Sequence, residues 1–210
     1  MTKPTIDIYS VFPSPVYIAK RDSDLNPREE KEIEKIIKNG MHRNVDNSGS
    51  NNSYIFNENL KELKQFCEYH INVYVKETIN PKDEIDFYIT QSWLNITKPG
   101  ESHHEHWHSN SIISGVFYIS TEEGDNITFI DPNIKLKQLI FFKAKEFNLW
   151  NSSIWSFPSK TNELILFPSW VNHQVQVNEK ATTDRISIAF NTFVKGSLGS
   201  EESYNELILK

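Results

Sequence analysis

The spacing of apolar positions changes character near Pro81. Before it, two stretches carry a helical period. From Pro27 the run REEKEIEKIIKNG places acids early, then Ile33, Ile36 and Ile37 on one face, with Gly40 as a stop, which predicts a short amphipathic helix. In LKELKQFCEYHINVYVKETI, the positions Leu60, Leu63, Phe66, Cys67, Ile71, Val73 and Tyr74 predict a second helix. The segment between them, RNVDNSGSNNSYIFNEN, reads as a polar loop whose asparagines satisfy turns rather than bind a ligand. Ahead of both helices, Ile6, Ile8, Val11-Phe12 and Val16-Tyr17-Ile18 predict short extended pieces divided by Pro13 and Pro15.

Beyond Pro81 the texture becomes short Phe-, Tyr-, Trp- and Ile-rich runs: DFYITQSWLNITKPG, HHEHWHSNSIISGVFYIST, DNITFIDP, NELILFPSW, HQVQVN and DRISIAFNTFV. Six such runs punctuated by Gly, Pro and Asn fit a β barrel or jelly roll better than a βαβ repeat. The expected class is therefore mainly β, with the N-terminal helices packed on the outer face of a sheet. One domain over 1–210 is the simpler organisation, helical from about 25 to 80 and β from about 85 to 195. Segment 134–161 has no clean period and predicts an additional strand or helix, inserted near the barrel mouth; its aromatic part, 141–157, is a candidate apolar wall for substrate or simply packs.

Charge and composition narrow the function. Lys plus Arg number 22 against 28 Asp plus Glu, a net charge of −6, which argues against a nucleic-acid backbone as the main partner. Thirteen Phe, 8 Tyr and 5 Trp supply enough large apolar side chains for a packed core, so whole-chain disorder is excluded. Cys67 is the single cysteine and cannot form an internal disulfide, pointing to a reducing, cytoplasmic setting. No run of about 18 apolar residues suggests a membrane span or signal segment. Gly115 and Gly124 stand alone, so there is no phosphate-binding loop. The final LGSEESYNELILK either caps the barrel or joins a second subunit in a homodimer.

The chemistry concentrates in 103–108, His-His-Glu-His-Trp-His, which holds four of the seven histidines. If this stretch is extended, His104, His106 and His108 point one way and His103, Glu105 and Trp107 the other. His106 and His108 can then grip one ion from one face, with His173 arriving from another strand. On the opposite face, His103 with Glu105 offers a two-histidine, one-carboxylate arrangement of the kind used by nonhaem iron oxygenases. The ordinary alternative is a surface histidine patch, in which Glu105 is a charged strand residue. His42 and His70 have no matching partners and read as structural or exposed.

The pieces QSWLN at 91–95, HWHSNSIISGVFYI at 106–119, LFPSWVNHQV at 166–175 and RISIAFN at 185–191 occur in the order that resembles the iron(II) and 2-oxoglutarate-dependent oxygenases. In particular they resemble a small branch marked by His-x-His followed by a Ser-Gly-Val-Tyr-Tyr-like core. The resemblance covers roughly the C-terminal half to three-fifths of the chain. It implies a double-stranded β-helix, cupin-like jelly roll; Fe(II) held by His106, His108 and His173; and 2-oxoglutarate paired through Arg185, with Ser187 on the same side as a second donor and Asn95 orienting the ligand from an adjacent strand. Trp93, Ser114, Tyr118, Trp170 and Asn191 are candidate pocket residues, and no catalytic group beyond the metal ligands is implied. The implied activity is that of an oxidoreductase, a dioxygenase that uses O2, decarboxylates 2-oxoglutarate to succinate and hydroxylates a further substrate, with prolyl hydroxylation of a protein or peptide as the family-based expectation. The chain departs from the wider superfamily in one respect: His108 stands where a carboxylate is usual. An all-imidazole set also serves catalytic zinc. Two other readings therefore stand beside the first, a cupin-like zinc or iron enzyme that uses no oxoacid and a noncatalytic jelly-roll binding module.

Overall fold

The computed structural model describes residues 6–82, 85–133 and 143–210. Its architecture is mainly β: two antiparallel sheets of the double-stranded β-helix, cupin-like kind with flanking helices. The strands are β1 (Tyr17–Lys20), β2 (Met41–Arg43), β3 (Ser48–Ser50), β4 (Asp86–Thr97), β5 (His103–His106), β6 (Ile113–Ser120), β7 (Asn126–Ile130), β8 (Ile154–Pro158), β9 (Glu163–Pro168), β10 (Asn172–Val175), β11 (Arg185–Leu198) and β12 (Leu207–Leu209). The larger sheet runs β1-β9-β6-β11-β4-β3-β2, with β12 added to the far end of β11; the smaller runs β5-β10-β7-β8. Helices α1 (Pro27–Lys38) and α2 (Lys61–Tyr74) precede the long strands.

Strand alternation gives the large sheet two faces of different chemistry. Leu94 and Ile96 of β4, Phe117 of β6, Leu164 and Leu166 of β9, and Ile188 and Phe190 of β11 share one buried cluster with Ile33 and Ile36 of α1 and Leu63, Cys67, Ile71 and Tyr74 of α2. The intervening positions turn to the other side. There Tyr118, Ile165 and Phe167 meet Ile127 and Phe129 of the smaller sheet in a second cluster, while Trp93, Asn95, Thr97, Arg185, Ser187 and Ala189 line a cavity.

One carboxylate ties the helical part together. Asn26 caps α1, its Oδ1 accepting from the backbone N–H of Arg28 (2.9 Å) and Glu29 (3.0 Å). Glu29 reaches back to the Asn26 N–H (3.1 Å), completing a capping box. The same buried carboxylate accepts from Arg21 Nη1 (2.9 Å) and from the Leu63 N–H in the first turn of α2 (2.8 Å). It thereby joins the segment after β1 to both helices.

Gly115 on β6 is required by close approach. A Cβ there would lie 2.2 Å from Phe190 Cζ and 2.8 Å from Leu166 Cδ2. The ring of Phe190, tilted against Phe56 at 5.8 Å, occupies the space a side chain would need.

The differences from the sequence reading are local. Residues 6–16 form no strand; Ile6, Ile8, Tyr9, Val11 and Phe12 are exposed, since Pro13 and Pro15 remove ladder donors and only 17–20 find a partner, in β9. The polar loop after α1 contains a hairpin, β2–β3, that joins the large sheet through β4. The histidine-rich run is two strands, β5 and β6, rather than one. Of the segment 134–161, the described part contributes β8, an added strand antiparallel to β7; residues 134–142 lie outside the described residues. No helix among the described residues is long and apolar enough to cross a membrane.

Two stability measurements check this account. Glu29→Ala leaves Arg21 buried without its charge partner and should cost about 3–5 kcal/mol in urea unfolding, far more than loss of a surface ion pair. Gly115→Ala should cost about 1–3 kcal/mol through overpacking against Phe190, and a neutral result would show that the ring moves aside freely.

Candidate active site

Strand β10 lies between β5 and β7, and its register sets His173 opposite His106 and beside Phe129. Between the pairs His173–His106 and Val175–His103, the single residue Gln174 of β10 faces two residues of β5, His104 and Glu105, which makes a bulge. The bulge overturns the simple alternation expected for 103–108. His103 and His106 stack at 4.4 Å between ring centroids instead of facing apart. The strand also ends at His106, so His108 is placed by a turn: its N–H donates to the Ser169 carbonyl at 3.0 Å.

His106, His108 and His173 converge. Their ring centroids are 4.3 to 5.2 Å apart, and one nitrogen from each lies within 4.8 Å of the others. His103, His104 and His106 form a second such group. Glu105 lies outside both; it is exposed and accepts a hydrogen bond from Asn172 Nδ2 at 2.7 Å, so the His103/Glu105 pairing is not assembled. Two of the converging imidazoles have a fixed tautomer. His106 Nδ1 lies 2.8 Å from the His104 carbonyl and His173 Nδ1 lies 3.1 Å from the Val171 carbonyl. A carbonyl only accepts, so each Nδ1 carries the proton and each Nε2 presents its lone pair.

Burial keeps these rings neutral. It pushes His173 down to about 2 and His108 down to about 4, with the neighbouring His106 adding to both. His106 itself is lowered by burial, opposed by its hydrogen bond to His104. His103 falls to about 3, through burial and then the nearby His106, His104 and Arg185. Neutral imidazoles are the form that ligates a metal, so no proton has to leave at neutral pH.

The cavity is lined by both sheets. From the large sheet, hydrogen-bonded register places its residues in transverse rows: Thr97 beside Arg185, Asn95 beside Ser187 beside Tyr118, and Trp93 beside Ala189 beside Val116. Arg185 is only 7% exposed. Among the described residues its closest carboxylate is Asp125, whose Oδ1 lies 3.8 Å from Nη1. Asp125 is itself held by the Glu122 N–H (2.9 Å) and Asn178 Nδ2 (3.2 Å), so it steadies one end of the guanidinium and leaves the rest of the fork for another anion. Burial raises the Tyr118 phenol above its ordinary value, with the Ser159 hydroxyl and the Arg185 charge opposing.

Three candidate pocket residues do not line this cavity. Ser114 donates to Asn191 Oδ1 (2.9 Å) and bonds Ser169 Oγ (2.8 Å), which in turn bonds Ser111 Oγ (2.7 Å). This buried network ties β6 and β11 to the turn whose carbonyl holds His108. Trp170 is 55% exposed, on the outside of that turn. Sequence reasoning missed Asn47, which lines the cavity from the β2–β3 hairpin, and Ser169, which stands in the FPSW run beside the more conspicuous Trp170. Only recognition of the hairpin would have drawn attention to Asn47.

The depressed imidazole values carry a sign for stability. Below the ordinary value of about 6.5 the unfolded chain takes up protons that the folded rings refuse, so the folded state loses stability as pH falls. Urea unfolding of the metal-free protein should therefore weaken from pH 6.5 downward through 4, and His173→Asn should flatten the slope. An unchanged slope in the variant would show that His173 titrates like an exposed ring.

Residues 91–191 match the family described as "Putative 2OG-Fe(II) oxygenase". No curated protein matches the chain in sequence. Among solved structures, the chain is similar to the non-heme alpha ketoglutarate dependent carbocyclase SnoK from nogalamycin biosynthesis, with a TM-score of 0.59 at 10% identity over 88% of this chain and 81% of that one. It is also similar to an oxidoreductase of the 2OG-Fe(II) oxygenase family from Burkholderia pseudomallei, with a TM-score of 0.56 at 9% identity over 84% and 83%. For HygX from Streptomyces hygroscopicus, solved with nickel, 2-oxoglutarate and hygromycin B, the TM-score is 0.54 at 8% identity over 85% and 82%. At such identities the likeness is one of fold alone, and it is the sequence match over 91–191 together with the histidine cluster that carries the assignment. Over residues 91–191 the chain is thus homologous in sequence to the putative 2OG-Fe(II) oxygenases, and its fold is similar to theirs.

Proposed function

We propose that the protein is an iron(II)- and 2-oxoglutarate-dependent hydroxylase in which His106, His108 and His173 hold the metal and Arg185 pairs with the far carboxylate of the co-substrate. The observation that carries this reading is the pairing, in one cavity, of three neutral imidazoles with a buried guanidinium whose nearest carboxylate among the described residues is 3.8 Å away. When bound, ferrous iron and 2-oxoglutarate supply the oxidative decarboxylation that yields succinate and carbon dioxide and activates dioxygen.

The residues then have distinct tasks. The Nδ1–H bonds of His106 and His173 orient two rings, and the Ser169 carbonyl fixes the backbone at His108. Arg185 offers a planar, permanently charged fork that suits a carboxylate through two parallel bonds. Ser187 and Asn95, on adjacent strands in the next row, offer a hydroxyl and an amide to the chelating end of the oxoacid. Trp93, Val116 and Phe167 are the apolar walls that keep bulk water away. In this reading one domain spans 1–210, its two helices brace the outer face of the large sheet, and Cys67 remains a buried, unreactive thiol in a cytoplasmic protein.

A second reading, a cupin-like zinc or iron enzyme without an oxoacid, is favoured by the absence of a carboxylate from the converging group. Anaerobic titration with Fe(II) and then 2-oxoglutarate separates the two. A visible charge-transfer band should saturate in the wild type, vanish in His106→Ala, and require at least about tenfold more 2-oxoglutarate in Arg185→Lys, the scale expected when a paired, buried guanidinium is lost. Stoichiometric metal binding with no band would remove the oxoacid and leave the cupin-like enzyme.

A further inference from the structure

Asn47 is fully buried, with 0% exposure, yet neither its Oδ1 nor its Nδ2 has a hydrogen-bond partner among the described residues. It lines the cavity that holds the histidines and Arg185. Its place follows from register. Ser48 and Gly49 pair with Ile96 and Asn95, so Asn47 falls alongside Thr97, which pairs with Arg185. The polar row across the sheet is thus Asn47, Thr97, Arg185.

The amide is not a turn-former. Its neighbours do that work: Asn44 Oδ1 accepts from the Val45 N–H at 2.9 Å, and Asn52 Oδ1 accepts from the Tyr54 N–H at 2.8 Å. The Asn47 carbonyl closes the hairpin by accepting from the Asn44 N–H at 2.8 Å, while its side chain is left over. The hairpin is anchored by Arg43 to Glu101, and Asp46 lies 3.7 Å from His104. Both halves of a buried amide unsatisfied is a costly arrangement that folding alone does not explain.

The chemistry of the missing partner follows from what is unpaired. Oδ1 needs a donor and Nδ2 needs an acceptor. A carboxylate, such as the far end of an oxoacid, answers only Nδ2. A group that presents N–H and C=O side by side answers both. Because Asn47 sits within the cavity wall, that group has to enter the cavity rather than lie across the surface. We infer that Asn47 is a specificity-determining residue that recognises a neutral carboxamide or lactam on the organic substrate. This rests on the cavity being the reaction site, but not on the identity of the metal or the oxoacid.

The test compares 2-pyrrolidinone with γ-butyrolactone, which has the same ring and carbonyl but no N–H, by saturation-transfer NMR titration of the full-length chain with and without Ni(II). Wild type should bind the lactam about tenfold better than the lactone, the scale of one lost buried hydrogen bond. Asn47→Leu and Asn47→Asp should both lose that preference. Asn47→Leu should also melt at a higher temperature than wild type, because it removes an unsatisfied buried amide. Equal binding of lactam and lactone by wild type, a preference that survives in either variant, or a lower melting temperature in Asn47→Leu overturns the inference. Since the comparison needs no oxoacid, a failure of 2-oxoglutarate to bind would count against the hydroxylase reading alone.

Discussion

Strand β11 sits between β4 and β6 and is covered on both sides, so each of its faces needed a different solution to burial. On one face Ile188 and Phe190 enter an apolar cluster with the helices. On the other, Arg185 and Ser187 are enclosed beneath a second sheet, where polar groups are tolerable only if they meet partners. The apolar side of the strand shares its cluster with residues of the helices, and the polar side lines the cavity. A shift of one residue in its register would exchange the two chemistries, placing the guanidinium in the helix-side core.

Legibility from sequence followed the periodicity. The two helices were readable because Ile33 and Ile36, and Leu63, Cys67 and Ile71, repeat at helical spacing and are buried as that spacing requires. The long strands were readable because alternation on β4 and β11 is clean. Short elements whose stability comes from a neighbour were not: β3 is Ser-Gly-Ser and has no apolar pattern, and it exists because β4 offers a free edge. Segment 154–158 carried aromatics without a period, and its pairing with β7 is again a tertiary fact.

The converging histidines illustrate the same division. That His106, His108 and His173 should meet followed from motif order, and their rings do converge. How they meet did not follow, because alternation was assumed through 103–108 where the chain bulges and then turns. The supporting atoms are also mostly backbone: the carbonyls of His104, Val171 and Ser169 orient the rings or their chain. Backbone acceptors leave no trace in residue identity. The Ser111, Ser169, Ser114 and Asn191 chain beneath them is built from residues that, in sequence, look like ordinary loop and strand polarity.

The β5 bulge has a consequence for how this site can vary over evolutionary time. An unbulged strand presents one side chain per face every second residue, about 6.8 Å apart. The extra residue in β5 lets His103 stack on His106 and crowds imidazoles more densely than a regular ladder allows. Substitutions at Glu105 or Trp107, which are exposed, leave that geometry in place. Deletion of a single residue between 103 and 106 would restore ordinary alternation, leaving the two imidazoles on one face but about 6.8 Å apart along the strand, too far to stack. Chain length in this four-residue strand is thus under a tighter constraint than the identity of its outward-facing residues.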